Sequence, residues 1–300
     1  MKTLLVTGGS GMIGQYVAQA AQAKGLRVRL ADFRWPDSPV WSHADEHVTF
    51  DVRDPLACRE HAAGVHAVIH CAAMVGPARA RVDPLVTIAV NVNGTANLLE
   101  AAHGVGARLV NMSTATLYGH RPALELLEET THTDPLTVYD GSKLMSETYC
   151  ATHKRTYGSD VASVRTGFVF GQGTQIGEYF LPRVLQGESV HEPAGRDHPC
   201  DFTYAQDLAE ALVAAALAPQ LRYTVYNVTG GVIRTRGDLA EAVRRLVPGC
   251  VITQGAGVDP ARHLRGACAI ERARQDFGWQ PRFTLESGLS DWLERMQKSP

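Results

Sequence analysis

The sequence predicts an α/β protein: a doubly wound parallel sheet joined to a smaller C-terminal α/β region. Three observations predict it. Leu4-Leu5-Val6 reads as a short buried strand and runs into Thr7-Gly8-Gly9-Ser10-Gly11-Met12-Ile13-Gly14, a glycine-rich turn that opens a helix over 15–23. Strand-like and helix-like stretches then alternate as far as Arg165, the pattern of a parallel sheet. Beyond Gly167 the alternation dissolves among Gly171, Gly173, Pro182, Gly187, Pro193 and Gly195, with helical stretches at 206–217, 236–246 and 285–297. The expected division is a dinucleotide-binding part over 1–165 and a substrate-binding region over 166–300 that interleaves with it.

Each element has a local reason. The glycines allow a sharp turn and let the backbone approach a pyrophosphate, whose charge would sit at the helix N-terminus. Gly25 ends that helix, and Arg27-Val28-Arg29-Leu30 starts a second strand closed by Asp32. A carboxylate there accepts bonds from an adenosine ribose and repels a 2′-phosphate, which favours NAD over NADP; Arg34 argues the other way. The connection over 35–47 is polar and holds His43-Ala44-Asp45-Glu46-His47, formally an H-x-x-E-H zinc string. With prolines around it and no third ligand in view, it reads as solvated surface, and no metal is expected. Val48-Thr49-Phe50-Asp51-Val52 reads as a third strand, with Asp51 and Val52 facing an adenine. Ala67 to Ala73 forms a fourth strand whose small end residues, Cys71, Ala72 and Ala73, let a flat cofactor lie across them. A long helix over 86–103 carries Asn91, and Arg108–Ser113 forms a fifth strand with Thr114 at its carboxyl end. In a parallel sheet, ligands bind beyond the strand carboxyl ends, so these residues line one edge.

Composition narrows the function classes. The chain has 300 residues, 45% hydrophobic and 20% charged, with a formal net charge of −2, so nothing pulls it toward nucleic acid or an anionic membrane. No apolar run approaches the ~20 residues of a membrane span. Six scattered cysteines without a Cys-x-x-Cys suit reduced thiols in a cytoplasm.

The chemistry centres on Tyr139-Asp140-Gly141-Ser142-Lys143. Tyr139 and Lys143 stand four residues apart on a helix, hence on one face. A phenol keeps its proton to pH ~10, and a fixed cation beside it favours the phenolate. The pair can therefore shuttle a proton near neutrality.

Taken together, these residues resemble the extended short-chain dehydrogenase/reductase superfamily, in its NAD-dependent epimerase/dehydratase branch. The residues over 7–14 are similar to its T-G-x-x-G-x-x-G loop. Ser113-Thr114-Ala115-Thr116-Leu117-Tyr118-Gly119 resembles its S-[ST]-x-x-V-Y-G segment, and Tyr139 and Lys143 its Y-x-x-x-K pair. Asp201-Phe202-Thr203-Tyr204 with Asp207, and Phe277-Gly278-Trp279-Gln280-Pro281, resemble its two C-terminal signatures. The resemblance implies Tyr139 as acid/base, Lys143 lowering its pKa and holding the nicotinamide ribose, and Thr114 bonding the reacting oxygen. It implies that Gly8, Gly11, Met12, Ile13, Gly14, Asp32, Asp51, Val52, Cys71, Ala72, Ala73, Asn91, Tyr139 and Lys143 hold NAD, and that Met74, Thr114 and Phe168 face the substrate. A homodimer through the helices around 86–103 and 139–157 is likewise implied.

Two departures bear on the substrate. The family's sugar-nucleotide enzymes usually carry Asn where this chain has Phe168, and Arg where it has Cys200, with Arg183 or Arg196 the cations left to compensate. The expected substrate is therefore a small polyol, sugar acid or hydroxy acid. Ala115-Thr116 in place of Asp-Glu disfavours dehydration. A nucleotide-sugar epimerase is the alternative enzyme, and a non-catalytic dinucleotide-sensing protein the alternative of another class.

Overall fold

The computed structural model describes residues 1–36, 44–173 and 179–298. The first part runs β1 (Thr3–Thr7), α1 (Met12–Gln22), β2 (Arg27–Asp32), β3 (Glu46–Thr49), α2 (Pro55–Ala62), β4 (Ala67–His70), α3 (Pro77–Val82), α4 (Pro84–Ile88), α5 (Gly94–Gly104), β5 (Arg108–Met112), α6 (Val138–Tyr157) and β6 (Val161–Arg165). The second adds β7 (Val169–Phe170), α7 (Phe180–Leu185), β8 (Val190–Glu192), β9 (Pro199–Asp201), β10 (Thr203–Tyr204), α8 (Ala205–Leu217) and β11 (Val225–Asn227). It closes with β12 (Ile233–Thr235), α9 (Arg236–Leu246), β13 (Ile252–Gln254), α10 (Glu271–Phe277) and α11 (Leu285–Lys298).

Seven parallel strands form the central sheet in the order β11-β6-β5-β4-β1-β2-β3. The strand order reverses between β1 and β4, and that crevice is where a doubly wound sheet binds its ligand. Alternate side chains of each strand face opposite sides. Leu4 and Val6 therefore join Tyr16 and Val17 of α1 and Leu208 and Leu212 of α8 in one core. Leu5, Val68 and Leu109 join Cys58 of α2 and Leu98 and Leu99 of α5 in the other. The region after residue 165 thus contributes both a strand, β11, and a packing helix, α8, to the sheet.

Two expectations need correction. The third strand ends at Thr49, because Asp51 turns its carboxylate onto Arg53 (amide at 2.9 Å, guanidinium at 2.5 Å) and Asp54 then caps α2. The helix expected over 86–103 is interrupted by a π-helical turn over Ala89–Asn93 between α4 and α5, an insertion common at functional sites. Of the zinc-like string, His43 lies outside the described residues. Asp45 accepts from the Val28 amide, Glu46 pairs with Arg29, and His47 meets Trp35 edge to face. No metal-holding cluster occurs among the described residues.

Candidate active site

The glycine loop crosses the crevice at the top of β1. Gly8 has φ +72°, and a Cβ there would stand 2.7 Å from the Ala72 nitrogen, so only glycine fits. A Cβ on Gly14 would meet the Gly8 carbonyl at 2.4 Å. Gly11 is the N-cap of α1 and has no side chain to cap its first turn, the end of a helix whose dipole suits an anion. These are the features a pyrophosphate needs, and the residues fit NAD on that account. Asp32, at the end of β2, is tied to the loop through Ser10.

Across the crevice, β4 ends in His70, whose Nδ1 bonds the Thr7 hydroxyl at 2.7 Å. Burial, with Lys143 nearby, pushes His70 down to about 3, so it is neutral, and its Nε2 has no partner among the described residues. Cys71, Ala72, Ala73 and Met74 follow, all half-buried. Burial pushes the Cys71 thiol up to about 12, so it is no nucleophile. Asn91 lies in the π-helical turn and is fully buried. Its side chain clamps Met74, accepting from the amide at 2.8 Å and donating to the carbonyl at 3.1 Å, and also donates to Ser142 at 2.9 Å. It thereby joins the turn after β4 to α6. Asp51, engaged with Arg53, is held below the usual carboxylate range, and Val52 is buried beneath it.

Tyr139, Asp140 and Lys143 occupy the first turns of α6. Thr137 caps that helix in a reciprocal box: its hydroxyl accepts from the Asp140 amide while the Asp140 carboxylate accepts from the Thr137 amide. Lys143 is buried and donates through Nζ to the Met112 carbonyl at 2.8 Å, which fixes it against the end of β5. Burial pushes its pKa down to about 8. The Tyr139 phenol is pushed up from its ordinary value, first by burial and then by the charge of Asp140. Lys143 does not offset this in the chain by itself: burial dominates, and the charge that adds to it is the carboxylate of Asp140. Thr114, at the end of β5, is buried and caps a short 3-10 turn over Ala115–Tyr118.

Beside this trio lies a cleft of about 300 Å³. Thr116, Asp140, Phe168, Asp201, Arg262 and Arg265 are among the residues that wall it. Phe168 has φ +44°, a left-handed conformation that a bulky side chain adopts only under constraint. Its carbonyl accepts from the Thr203 amide at 3.2 Å, and its ring meets Phe202 edge to face. Arg265 is half-buried, which lowers its pKa. It donates to the Gly119 carbonyl at 3.3 Å, and among the described residues no carboxylate pairs with it.

The family model of the NAD dependent epimerase/dehydratase family matches residues 4–229. The chain belongs to that family. It is an NAD-dependent enzyme of the short-chain dehydrogenase/reductase type. It is similar to UDP-glucuronic acid decarboxylase 1 of Xenopus tropicalis, 27% identical with 99% of this chain and 72% of the relative covered. It is similar also to UDP-glucuronic acid decarboxylase 6 of Arabidopsis thaliana, 27% identical over 95% of this chain and 86% of that protein. A solved UDP-glucose 4-epimerase of Thermus thermophilus in complex with NAD superposes with TM-score 0.85 at 26% identity, covering 99% of this chain and 100% of that one.

Within this family member, the two aspartates of the D-[FY]-x-[YH] signature act as staples. Asp201 accepts from the Thr229 hydroxyl and from the Gly231 and Cys268 amides, and burial pushes it up to about 6. Asp207 holds the amides of Arg282 and Phe283. Cys200 is fully buried and is not a wall of the cleft. Of the compensating cations suggested by sequence, Arg183 pairs with Glu188 and Arg196 lines a different groove. The cleft's cations are Arg262 and Arg265, which sequence reading missed, as it missed Asp140, Thr116 and His70. Only Asp140 left a local signal, Thr-x-x-Asp at a helix start.

Proposed function

We propose that this enzyme transfers a hydride between NAD and a carbinol carbon of a small sugar-like or hydroxy-acid substrate, with Tyr139 as acid/base. The size and lining of the cleft carry the reading. About 300 Å³ lies at the floor of the ~300–1,000 Å³ usual for ligand sites. One wall is the constrained ring of Phe168. Arg265 is half-buried and in no ion pair among the described residues, with the charge of Asp140 reaching it across the cleft, and its guanidinium suits a planar carboxylate that takes two parallel hydrogen bonds. When bound, NAD supplies the carbon that takes or returns the hydride. The residues proposed to hold it are Gly8, Gly11, Met12, Ile13, Gly14, Asp32, Val52, Cys71, Ala72 and Ala73, with Asn91 bracing the turn and Lys143 on the ribose. Tyr139 takes the carbinol proton and gives it back in reverse; the positive charge of an oxidised nicotinamide would favour the phenolate, against burial. On this reading residues 1–165 serve the cofactor and 166–300 the substrate.

A thermal-shift screen with NAD present tests the substrate class. Free uronates, aldonates and C4–C6 hydroxy acids should stabilise the protein saturably, and UDP-, GDP- and dTDP-sugars should not. Stabilisation by a sugar nucleotide at micromolar concentration, with none from the free acids, overturns the reading. The second reading is a nucleotide-sugar epimerase. Two guanidiniums in one cleft favour it, Arg265 and Arg262, the latter paired with Asp259 at 3.1 Å, since a diphosphate carries charge enough to meet both, as do relatives that act on UDP-sugars.

The six free cysteines support a reducing compartment such as the cytoplasm, and among the described residues no helix is long and apolar enough to cross a membrane. Val82 and Leu85 are 84% and 81% exposed beside α6, where Met145 is also exposed, which supports pairing of two copies there. Light scattering should give about twice 32.5 kDa, and a clean monomer at micromolar concentration removes the idea.

A further inference from the structure

Asp140 does more than cap its helix. Its Oδ2 accepts from the Thr137 amide at 3.1 Å and hydroxyl at 2.7 Å. Its Oδ1 accepts from the Thr116 hydroxyl, and the Thr116 and Thr114 hydroxyls lie 2.9 Å apart. The Thr116 amide also donates to the Thr114 oxygen at 3.2 Å. Asp140 is 3% exposed, Thr114 is 6% exposed, and both Thr116 and Asp140 wall the cleft.

A hydroxyl has one proton and two lone pairs. A carboxylate only accepts, so the single proton of Thr116 is committed to Asp140. The bond between the two threonines must then be made with the proton of Thr114. That leaves Thr114 with no proton to offer the bound molecule. It presents only a lone pair, because its other one takes the Thr116 amide.

We propose that Asp140, acting through Thr116, is a positioning residue that makes Thr114 an acceptor, so that the site holds the alcohol form of its substrate and releases the ketone. The inference rests on the reading that Thr114 meets the reacting oxygen. A carbinol hydroxyl can donate its one proton to Thr114 as it enters and then turn it to Tyr139 for transfer, whereas a carbonyl has none to donate, and only the phenol of Tyr139 is left to donate to it. An epimerase must retain its ketone between two hydride transfers. A site that loosens its hold on the ketone favours net oxidation with release, and this bears on the choice between dehydrogenase and epimerase.

Asp140→Asn should reverse the chain. The amide oxygen stays on Thr137 and the amide nitrogen donates to Thr116, which frees the Thr116 proton for Thr114 and the Thr114 proton for the site. Because the equilibrium of the reaction is fixed, kcat/KM in the two directions must change together. The affinities of complexes that cannot react, ketone with the NAD form and alcohol with the NADH form, are free to diverge.

Neutron diffraction on the deuterated protein with NAD alone reads the order directly. The Thr116 deuteron should point to Asp140 and the Thr114 deuteron to Thr116, and in the Asn variant the Thr116 deuteron should point to Thr114. The hydroxy compound returned by the stabilisation screen, with its ketone, then serves as the probe pair. Asp140→Asn should bind the ketone about tenfold more tightly and the alcohol about tenfold more weakly, the scale of one hydrogen bond gained or left unmade. A Thr116 deuteron aimed at Thr114 in the native protein overturns the inference, and so does unchanged ketone affinity in the variant. The neutron result needs no substrate, so this inference and the substrate reading fail separately.

Discussion

The carboxylate of Asp32 accepts two hydrogen bonds from Ser10, from its amide at 3.0 Å and its hydroxyl at 2.7 Å. Both fall on Oδ2, while Oδ1 takes the Phe33 amide at 2.8 Å. The group is thus anchored to the glycine loop with one lone pair of Oδ1 to spare for a ribose hydroxyl. Asp32→Ala should lower NAD affinity by about ten- to a hundredfold, the worth of a charge-assisted bond, and bring NADP level with NAD. Calorimetric titration of both cofactors checks this; equal affinities in the native protein would give the decision to Arg34.

Tyr139→Phe should abolish hydride transfer and leave NAD binding nearly intact, since it removes only the proton acceptor. Lys143→Met should damage both, because the ammonium is proposed to serve the ribose as well. Single-turnover absorbance of NADH separates the two variants. Near-native turnover in Tyr139→Phe would place the proton shuttle elsewhere.

Lys143 also predicts a pH dependence of stability. Its pKa falls from 10.5 to about 8 in the folded chain through burial. Below about 8 the folded chain holds a buried charge, and that penalty is present in full. Between about 8 and 10.5 the unfolded chain keeps a proton that the folded chain sheds, so stability rises with pH across that window. The rise is on the order of 3 kcal/mol. Urea melts at pH 7.5 and 10 should show it as the native protein minus Lys143→Met, since other titrating groups cancel in the difference. The lost bond to the Met112 carbonyl shifts the variant equally at both pH values.

Phe168→Asn tests the cleft wall. Asparagine tolerates the left-handed backbone that Phe168 is forced into, and it exchanges an apolar ring for an amide donor. The variant should gain saturable thermal stabilisation by UDP-glucose in the presence of NAD, where the native protein has none. No gain would mean that Phe168 is not what limits the cleft.

Glu147 and Arg165 form a buried pair behind α6, with guanidinium-to-carboxylate bonds of 2.6, 3.0 and 3.2 Å. Glu147→Ala leaves the arginine charge buried and should cost about 3–5 kcal/mol by denaturant melts. A loss below 1 kcal/mol would show that the Tyr118 ring, 4.9 Å from the guanidinium, and penetrating water carry Arg165 without it.

What could be read from the sequence was what is local. The glycine loop, the Tyr139–Lys143 spacing and the helices at 206–217 and 236–246 each express a rule that acts within a few residues, and the alternation up to Arg165 fixes a parallel sheet. The third strand ran too long on paper because Phe50 and Val52 are apolar, while Asp51, Arg53 and Asp54 form a turn that only their side-chain bonds reveal. The cleft was illegible for a different reason. Arg262 and Arg265 reach it because Leu264 and Ala267 accept main-chain bonds from Arg121 and Leu127, more than a hundred residues earlier. No periodicity announces such a pairing. The positive φ of Phe168 is likewise set by surroundings, and the local sequence argues against it.

The attachment of that outer wall has a consequence for how the enzyme can change. The segment around 262–268 is tied down largely through its own backbone: Leu264 and Ala267 accept, and the Cys268 amide donates to Asp201. Its side chains at 262, 263 and 265 can therefore be exchanged without loosening those backbone ties. The hydride machinery on the sheet edge, by contrast, is built from side chains that hold one another and tolerates little. Selectivity and chemistry are thus separately mutable, and a library confined to three positions should yield new substrate preferences from an otherwise intact catalyst.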